Sequence, residues 1–400
     1  MDNLERAEFD LAVLAGNGLR RGRTTGSCAT AAVKAALYLM LCEREHASVE
    51  VTLPDQSHYL VVPIQRVARL DGETVRAEVR KDGGDDPDNT HGATIFAEVR
   101  RNDLHQIVFR AGPGVGTATL PGLRIAVGEP AINPVPRAMM RQAVAEVLHD
   151  AGQLPPWRSK DTMSRTPAPD VTQPGQGFDL TIGCVNGEAI ARKTFNPRLG
   201  IFGGISVLGT SGIVEPMSLS SWIASIEVYV RVALADGAPG VAYLPGKIGR
   251  AFAQDVLGLP EKRTVQIANF LGEALAFTQN VLQEEQRQLD VLWLAGHPGK
   301  LAKVLDDVWD THSSKSGMAM ASVARVAAER GFPAQLVDEI EHANTVEAVV
   351  EQLKDRLDAQ AFWEDIEARI AHRVQARVPA VHRVAVRLFD LEGRPLGAAR

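Results

Sequence analysis

The chain has 400 residues, 45% of them hydrophobic and 23% charged, with a formal net charge of −6. That length allows two domains with sizeable cores, the composition is that of a globular protein, and the acidic balance excludes a general attraction to nucleic acid. No apolar run approaches the roughly 20 residues of a membrane span, and the opening MDNLERAEFD is acidic where a secretory leader is basic, so a cytoplasmic protein is expected.

Residues 1–18 read as a short lead-in. The stretch RRGRTTGSCATAAVKAALYLML at 20–41 then sets three arginines and several hydroxyls at the mouth of an apolar helix that needs a single cap. Strand-like runs follow at 49–53, 59–62, 74–80, 94–100 and 105–110, then a glycine-rich turn at 112–116 and a helix over 136–150 with proline at its first turn. Strands bracketed by two helices predict a two-layer α+β domain over 19–151. The proline- and glycine-rich residues 152–177 have linker composition, and the boundary is expected there.

Beyond it, strands are expected at 180–185, 204–208, 241–244, 264–267 and 289–294, with helical segments after most of them. Short apolar strands alternating with helices predict an α/β domain over 178–400, with a mostly parallel sheet covered on both faces. Residues 320–378 read as almost continuously helical, with Asn344 and Glu347 spaced as a capping box, and 384–389 as a final edge strand.

Ligands of such sheets bind outside the carboxyl ends of the strands. Two strand-to-helix junctions stand out there: Gly209-Thr-Ser-Gly212, which leads on to Glu215, and Gly296-His-Pro-Gly-Lys300. Both offer small residues for close backbone approach, with Glu215 as an acceptor for a ribose or amine and Lys300 as a cation. Neither matches a phosphate-binding loop, because Leu294 and Leu301 stand where that motif needs Gly and Ser or Thr, and tight turns without a ligand are the plainer alternative. The run KDGGDDPD at 81–88 carries four aspartates. It suits a hard cation, a hydrogen-bonded turn, or a cationic ligand with His91 nearby as acid or base.

Cys28, Cys42 and Cys184 share no CxxC spacing, which fits a reducing compartment and argues against a zinc or iron–sulfur site. Cys28 lies near a helix N-terminus, where thiols become acidic, yet the alanine-rich ATAA after it favours a packing role.

Several of these segments occur together, in one order, in a known family. RTTGSCA at 23–29, KDGGDDPD with THG at 90–92, GPGVG at 112–116, GEPAINP at 128–134, GGISVLGTSGIVEPMS at 203–218, GHPGKL at 296–301 and THS at 311–313 make the chain resemble the cobalt-precorrin-5B C1-methyltransferases, the CbiD family of anaerobic-type cobalamin biosynthesis. Ser27 stands where that family usually has Thr, which keeps the hydroxyl. The resemblance implies methyl transfer from S-adenosyl-L-methionine to a tetrapyrrole corrinoid precursor that brings its own cobalt.

In that light Arg20, Arg21, Arg23, Thr24, Thr25 and Ser27 are expected to cradle the carboxylates of the macrocycle, the alternative being solvated arginines beside one capping Thr. Gly209, Thr210, Gly212, Glu215, Gly296, Gly299 and Lys300 are expected to hold the donor. His91, Asp85 and His297 are the candidates for moving a proton. Two competing classes are a cysteine-dependent acyl hydrolase using Cys28 and His91, and a corrinoid carrier without catalysis.

Overall fold

The computed structural model describes residues 6–153, 177–312 and 317–397, which divide into two compact units, 1–218 and 219–400. The first unit is built on a five-stranded mixed sheet in the order Arg66–Arg69, Thr74–Arg80, Thr94–Asn102, Gly177–Cys184, Ile107–Ala111. Along Thr74–Arg80 the side chains alternate. Val75, Ala77 and Val79 point into the core, while Arg76 and Glu78 stay outside and pair with each other.

The helix Thr25–Cys42 packs on this sheet and is flanked by the helix Pro134–Asp150. Its alanines at 29, 31, 32, 35 and 36 are fully or almost fully buried, because the missing bulk lets the helix axis approach the sheet closely. This helix is long and apolar enough to cross a membrane by length and composition, but 78% of it is buried inside the protein.

The second unit holds a four-stranded parallel sheet in the order Thr264–Gln266, Gly240–Leu244, Leu289–Gly296, Val381–Leu388. The last strand lies at the edge, as its position in the sequence suggests. The helix Ala359–Arg377 covers it, and Leu219–Leu234 packs against Leu271–Glu284. The helical region resolves into Met320–Glu329, Ala334–Glu341, Val346–Leu353 and Ala359–Arg377.

Two expectations are corrected. The boundary does not fall at 152–177, because Gly177–Cys184 pairs along its full length with Thr94–Asn102 and runs parallel to Ile107–Ala111 in the first sheet. The segments after it also pair with the first unit: Gly204–Ile205 with Gly114–Val115, and Ile213–Val214 with Gly22–Arg23. A proline-rich stretch marks a break in secondary structure, but the partner of the next strand is chosen by hydrogen bonds to residues far away in sequence. Most of the expected linker lies outside the described residues.

The second correction concerns the capping box. The cap is Thr345, whose hydroxyl accepts from Ala348 N at 3.2 Å, while the Glu347 carboxylate is taken by His297.

Candidate functional site

In the first unit the helix mouth, the aspartate loop and the 206–217 loop are tied into one knot. Thr24 is the N-cap: its hydroxyl accepts from Ser27 N at 3.1 Å and donates to Gly212 O at 3.3 Å. The Ser27 hydroxyl also donates to Gly212 O. Gly26 N donates to Leu208 O at 3.0 Å, and the Thr25 hydroxyl accepts from Leu208 N at 2.9 Å. The surplus of hydroxyls at the helix mouth therefore has an intramolecular use. They hold the chain's own glycine loop.

The aspartate loop locks in from the other side. Arg23 N donates to Asp82 O at 2.7 Å, and Asp85 N donates to Arg20 O at 3.0 Å. A Cβ on Gly22 would lie 2.1 Å from Gly83 C, so glycine is required for the two backbones to touch. The four aspartates are engaged by groups of the chain itself, Arg20 meeting both Asp85 and, at 3.8 Å, Asp82. Asp82 accepts from Gly84 N, Asp85 from Arg20, Asp86 from Met217 N at 2.9 Å, and Asp88 from Lys81 and Thr90. These bonds make the loop a hydrogen-bonded turn, and among the described residues no group of three His, Cys, Asp or Glu could hold a metal ion.

The three arginines have different fates. Arg21 Nε donates to Glu215 at 2.6 Å, and its Nη1 donates to the carbonyls of Val13 and Leu14 at 2.9 Å each. Arg23 reaches the Val61 carbonyl at 3.1 Å, and its buried Nε has no hydrogen-bond partner. Arg20 pairs with Asp85 at 3.1 Å and keeps 55% of its side chain exposed, so of the three it alone presents much guanidinium surface to solvent. Around the knot Val13, Leu14, Leu208 and Met217 are exposed apolar side chains, and Thr210 and Glu215 are exposed polar ones.

The proton-transfer candidates can be ranked by their bonds. Hydrogen bonds from Arg20 N–H, first the backbone one and then the side-chain one, hold the Asp85 carboxyl below its ordinary value, which makes it a weak base. His91 Nδ1 accepts from Gly83 N at 3.1 Å, so in the neutral ring the proton sits on Nε2, on an exposed side chain. That atom donates.

In the second unit, the turn after Leu289–Gly296 uses its own groups. His297 caps the four-residue helix Pro298–Leu301 through Nδ1, which accepts from Gly299 N at 3.0 Å, and its Nε2 faces Glu347 at 2.5 Å. Lys300 N donates to His297 O, so the free N–H groups expected of this turn are occupied. Lys300 Nζ donates to Pro245 O at 3.0 Å, and burial, then the charge of Lys303, lowers the affinity of its amine for a proton.

Gly209, Thr210, Gly212 and Glu215 thus belong to the first unit with His91, Asp85 and the 20–27 segment, while Gly296, Gly299, Lys300 and His297 belong to the second. The two loops do not sit on one sheet, which corrects their expected common origin. Chain order alone made Gly204–Gly212 look like a strand end of the second sheet. Sequence reasoning also missed the exposed Leu208 and Met217, whose residue types carry no signal by themselves, and the buried Lys81–Asp88 pair.

Against this geometry the comparisons are decisive for kinship. The family pattern described as CbiD matches residues 13–216, which contain the whole knot, and that described as the CbiD C-terminal domain matches 310–400. The chain belongs to the CbiD family. A CbiD relative in Ralstonia nicotianae, named cobalt-precorrin-5B C(1)-methyltransferase, is 60% identical over 98% of this chain and 97% of its own length. A protein of the same name in Chromobacterium violaceum is 58% identical over 99% of this chain and 100% of its own. The crystal structure of the cobalamin biosynthesis protein (cbiD) from Archaeoglobus fulgidus covers 80% of this chain and 88% of that one at 22% identity and a TM-score of 0.37, too distant a likeness to bear on the site.

Within this CbiD chain the cysteine hydrolase is overturned. Cys28 is fully buried, and burial pushes its thiol up to about 12, so no thiolate is available near neutral pH. Cys28→Ala is expected to retain turnover and to change stability by less than about 2 kcal/mol, the scale of losing one small buried group. Methyl-transfer assays and urea unfolding check this; complete loss of turnover in a folded variant would restore the nucleophile.

Proposed function

We infer that the chain transfers a methyl group from S-adenosyl-L-methionine to carbon 1 of cobalt-precorrin-5B, giving cobalt-precorrin-6A in cobalamin biosynthesis. The observation that carries this is 60% identity over 98% of the chain to a protein of that name. The gathering of the first unit's motif segments into one knot supports it. The macrocycle is the chemical partner, and its cobalt is part of the substrate.

The macrocycle combines a broad apolar face with many carboxylates. The first unit offers both complements at its knot: exposed Val13, Leu14, Leu208 and Met217 for the face, and the half-exposed Arg20 for a carboxylate. Thr210, Glu215 and the Nε2 donor of His91 complete this rim. Arg21, Arg23, Thr24, Thr25 and Ser27, engaged with the chain's own groups, position it rather than touch substrate. Gly209 and Gly212 join them, since a Cβ on either would strike Thr24 or Leu53.

We place the donor in the second unit, whose parallel sheet with its covering helices we read as Rossmann-like. Ligands of such sheets bind outside the carboxyl ends of the strands, which here means Gly296, Gly299 and Lys300. Lys300, a partly buried cation held by the Pro245 carbonyl, suits the carboxylate of a zwitterionic donor, while Gly296 and Gly299 let the turn pack closely on Pro245, Leu301 and His297. When bound, the sulfonium supplies an already activated methyl group. The protein's work is then to hold the reactants in line and exclude water, effects that supply up to about 7–11 kcal/mol. The free thiols of Cys28, Cys42 and Cys184 suit a cytoplasmic setting for this chemistry.

The test is methyl transfer measured with purified macrocycle, beside titration of S-adenosylhomocysteine. Arg20→Ala is expected to raise KM for the macrocycle about tenfold with kcat little changed, and Lys300→Ala to weaken S-adenosylhomocysteine about tenfold. Unchanged constants in both variants sink the site assignment; a wild-type protein that binds the macrocycle but never methylates it is the carrier.

A further inference from the structure

We propose that a second groove, wholly within the second unit, binds a polycarboxylate ligand of macrocycle size. The groove has a volume of about 1310 Å³, and its polar lining is Trp309, Arg325, Arg369, His372, Arg373 and Arg377 with the carboxylates of Asp306 and Asp307, so its basic groups outnumber its acids. Leu305, Val326, Ala368 and Ala376 also line it. The basic residues on Ala359–Arg377 fall at 369, 372, 373 and 377, spacings of three and four that set them on one helix face. Ala368 and Ala376 on the same helix are short, and this leaves the space between the charged side chains open.

The charges are unevenly matched. Arg369 is paired with Glu329 at 2.7 Å and Asp365 at 3.0 Å, and Arg373 with Asp307 at 2.5 Å. Arg325 reaches Asp306 only at 3.7 Å. Among the described residues no carboxylate lies within ion-pair distance of Arg377 or His372, and both are exposed. Arg377 is instead oriented by stacking, its guanidinium carbon 4.1 Å from the centre of the Trp309 ring. Stacking uses the face of the guanidinium and leaves its edge N–H donors for a carboxylate fork. Arg377 also lies in the last turn of its helix, where the dipole favours a cation, and that satisfies its charge without using those donors.

In a protein of net charge −6, a groove with two such donors beside three paired arginines is a local exception, and it recognises carboxylates. Two sources of that chemistry exist: a small free acid such as citrate, and the arms of the tetrapyrrole. The groove is open along one side and its basic groups are spread from Arg325 to Arg377, which favours a ligand with several carboxylate arms over a small acid. The choice of ligand rests on the proposed function; the groove itself does not.

The experiment titrates the full chain with uroporphyrin, a tetrapyrrole with eight carboxylates, and separately with citrate, reading Kd by calorimetry and by the tryptophan emission lost in Trp309→Phe. Wild type is expected to bind uroporphyrin with a Trp309 response. His372→Ala/Arg377→Ala is expected to bind about tenfold or more weakly at unchanged Tm, and Arg377→Lys to recover part of the loss. Citrate is expected to compete only at far higher concentration.

Three results overturn the proposal: no uroporphyrin binding, an unchanged Kd with intact Trp309 response in the double variant, or citrate binding as tightly as the porphyrin. Methyl transfer by the wild type, assayed in parallel, keeps a failure of the enzymatic reading separate from a failure of the groove.

Discussion

Gly212→Val is expected to abolish methyl transfer and to lower stability by about 2–6 kcal/mol, combining a β-branched residue in a left-handed conformation with overpacking. Gly212 has φ +82°, and a Cβ there would sit 2.7 Å from Leu53 Cδ2 and 3.0 Å from Ser27 Oγ. Its carbonyl receives both the Thr24 and the Ser27 hydroxyls, so moving it unties the helix mouth from the loop bearing Thr210 and Glu215. Ser27→Ala removes one of those two donors and is expected to cost only about 1–3 kcal/mol, because the carbonyl stays satisfied by Thr24. Urea unfolding and the methyl-transfer assay measure both. A Gly212→Val protein with wild-type melting and turnover would mean that the loop is not held as described.

Lys81→Met is expected to destabilise the protein by about 3–5 kcal/mol near neutral pH, the cost of leaving a largely buried carboxylate without its cation. Lys81 is 2% exposed and pairs with Asp88, which Thr90 N–H and hydroxyl also contact. Burial alone would raise the Asp88 carboxyl, but the Lys81 charge and hydrogen bonds from Lys81 and Thr90 outweigh it and hold the folded value below the ordinary 3.8.

The sign of the pH effect follows from that lowering. The stabilisation is present above the unfolded value and is lost as pH falls through the folded one, below about pH 4. In Lys81→Met the burial remains without the cation, so protonating Asp88 relieves the variant. The stability gap between wild type and variant should therefore narrow in acid. A gap that stays constant as the pH is lowered from 7 to well below 4 would show that Asp88 does not carry the effect.

Much of the local structure was legible in the residues. Alternation in 74–80 and 94–100 marked strands because one face of that sheet is buried, and the alanine-rich run after Thr24 marked a helix that lies close against it. The packing role of Cys28 was legible for the same reason. The capping box at Asn344 was misplaced by one residue, because Asn344, Thr345 and Glu347 satisfy more than one capping pattern and His297, 50 residues away, claims Glu347. The partners of the arginines at the helix mouth were not legible. Arg21 and Arg23 look solvent-facing in sequence, yet one meets Glu215 and the other the Val61 carbonyl, partners that no local pattern reveals.

Composition, periodicity and motif order by themselves determined the mixed α/β class, the parallel character of the later sheet and the kinship that carries the activity, since these depend on side-chain spacing along a few turns or strands. Tertiary structure alone decided that Gly177–Cys184 and the 203–217 loop belong with the first unit, that two of three arginines are engaged internally, and that four basic side chains of one helix wall a groove. The physical reason is the same in each case. Hydrogen bonds and ion pairs between residues tens to hundreds of positions apart are chosen by the folded backbone, and a single sequence carries no local trace of which partner each group will meet.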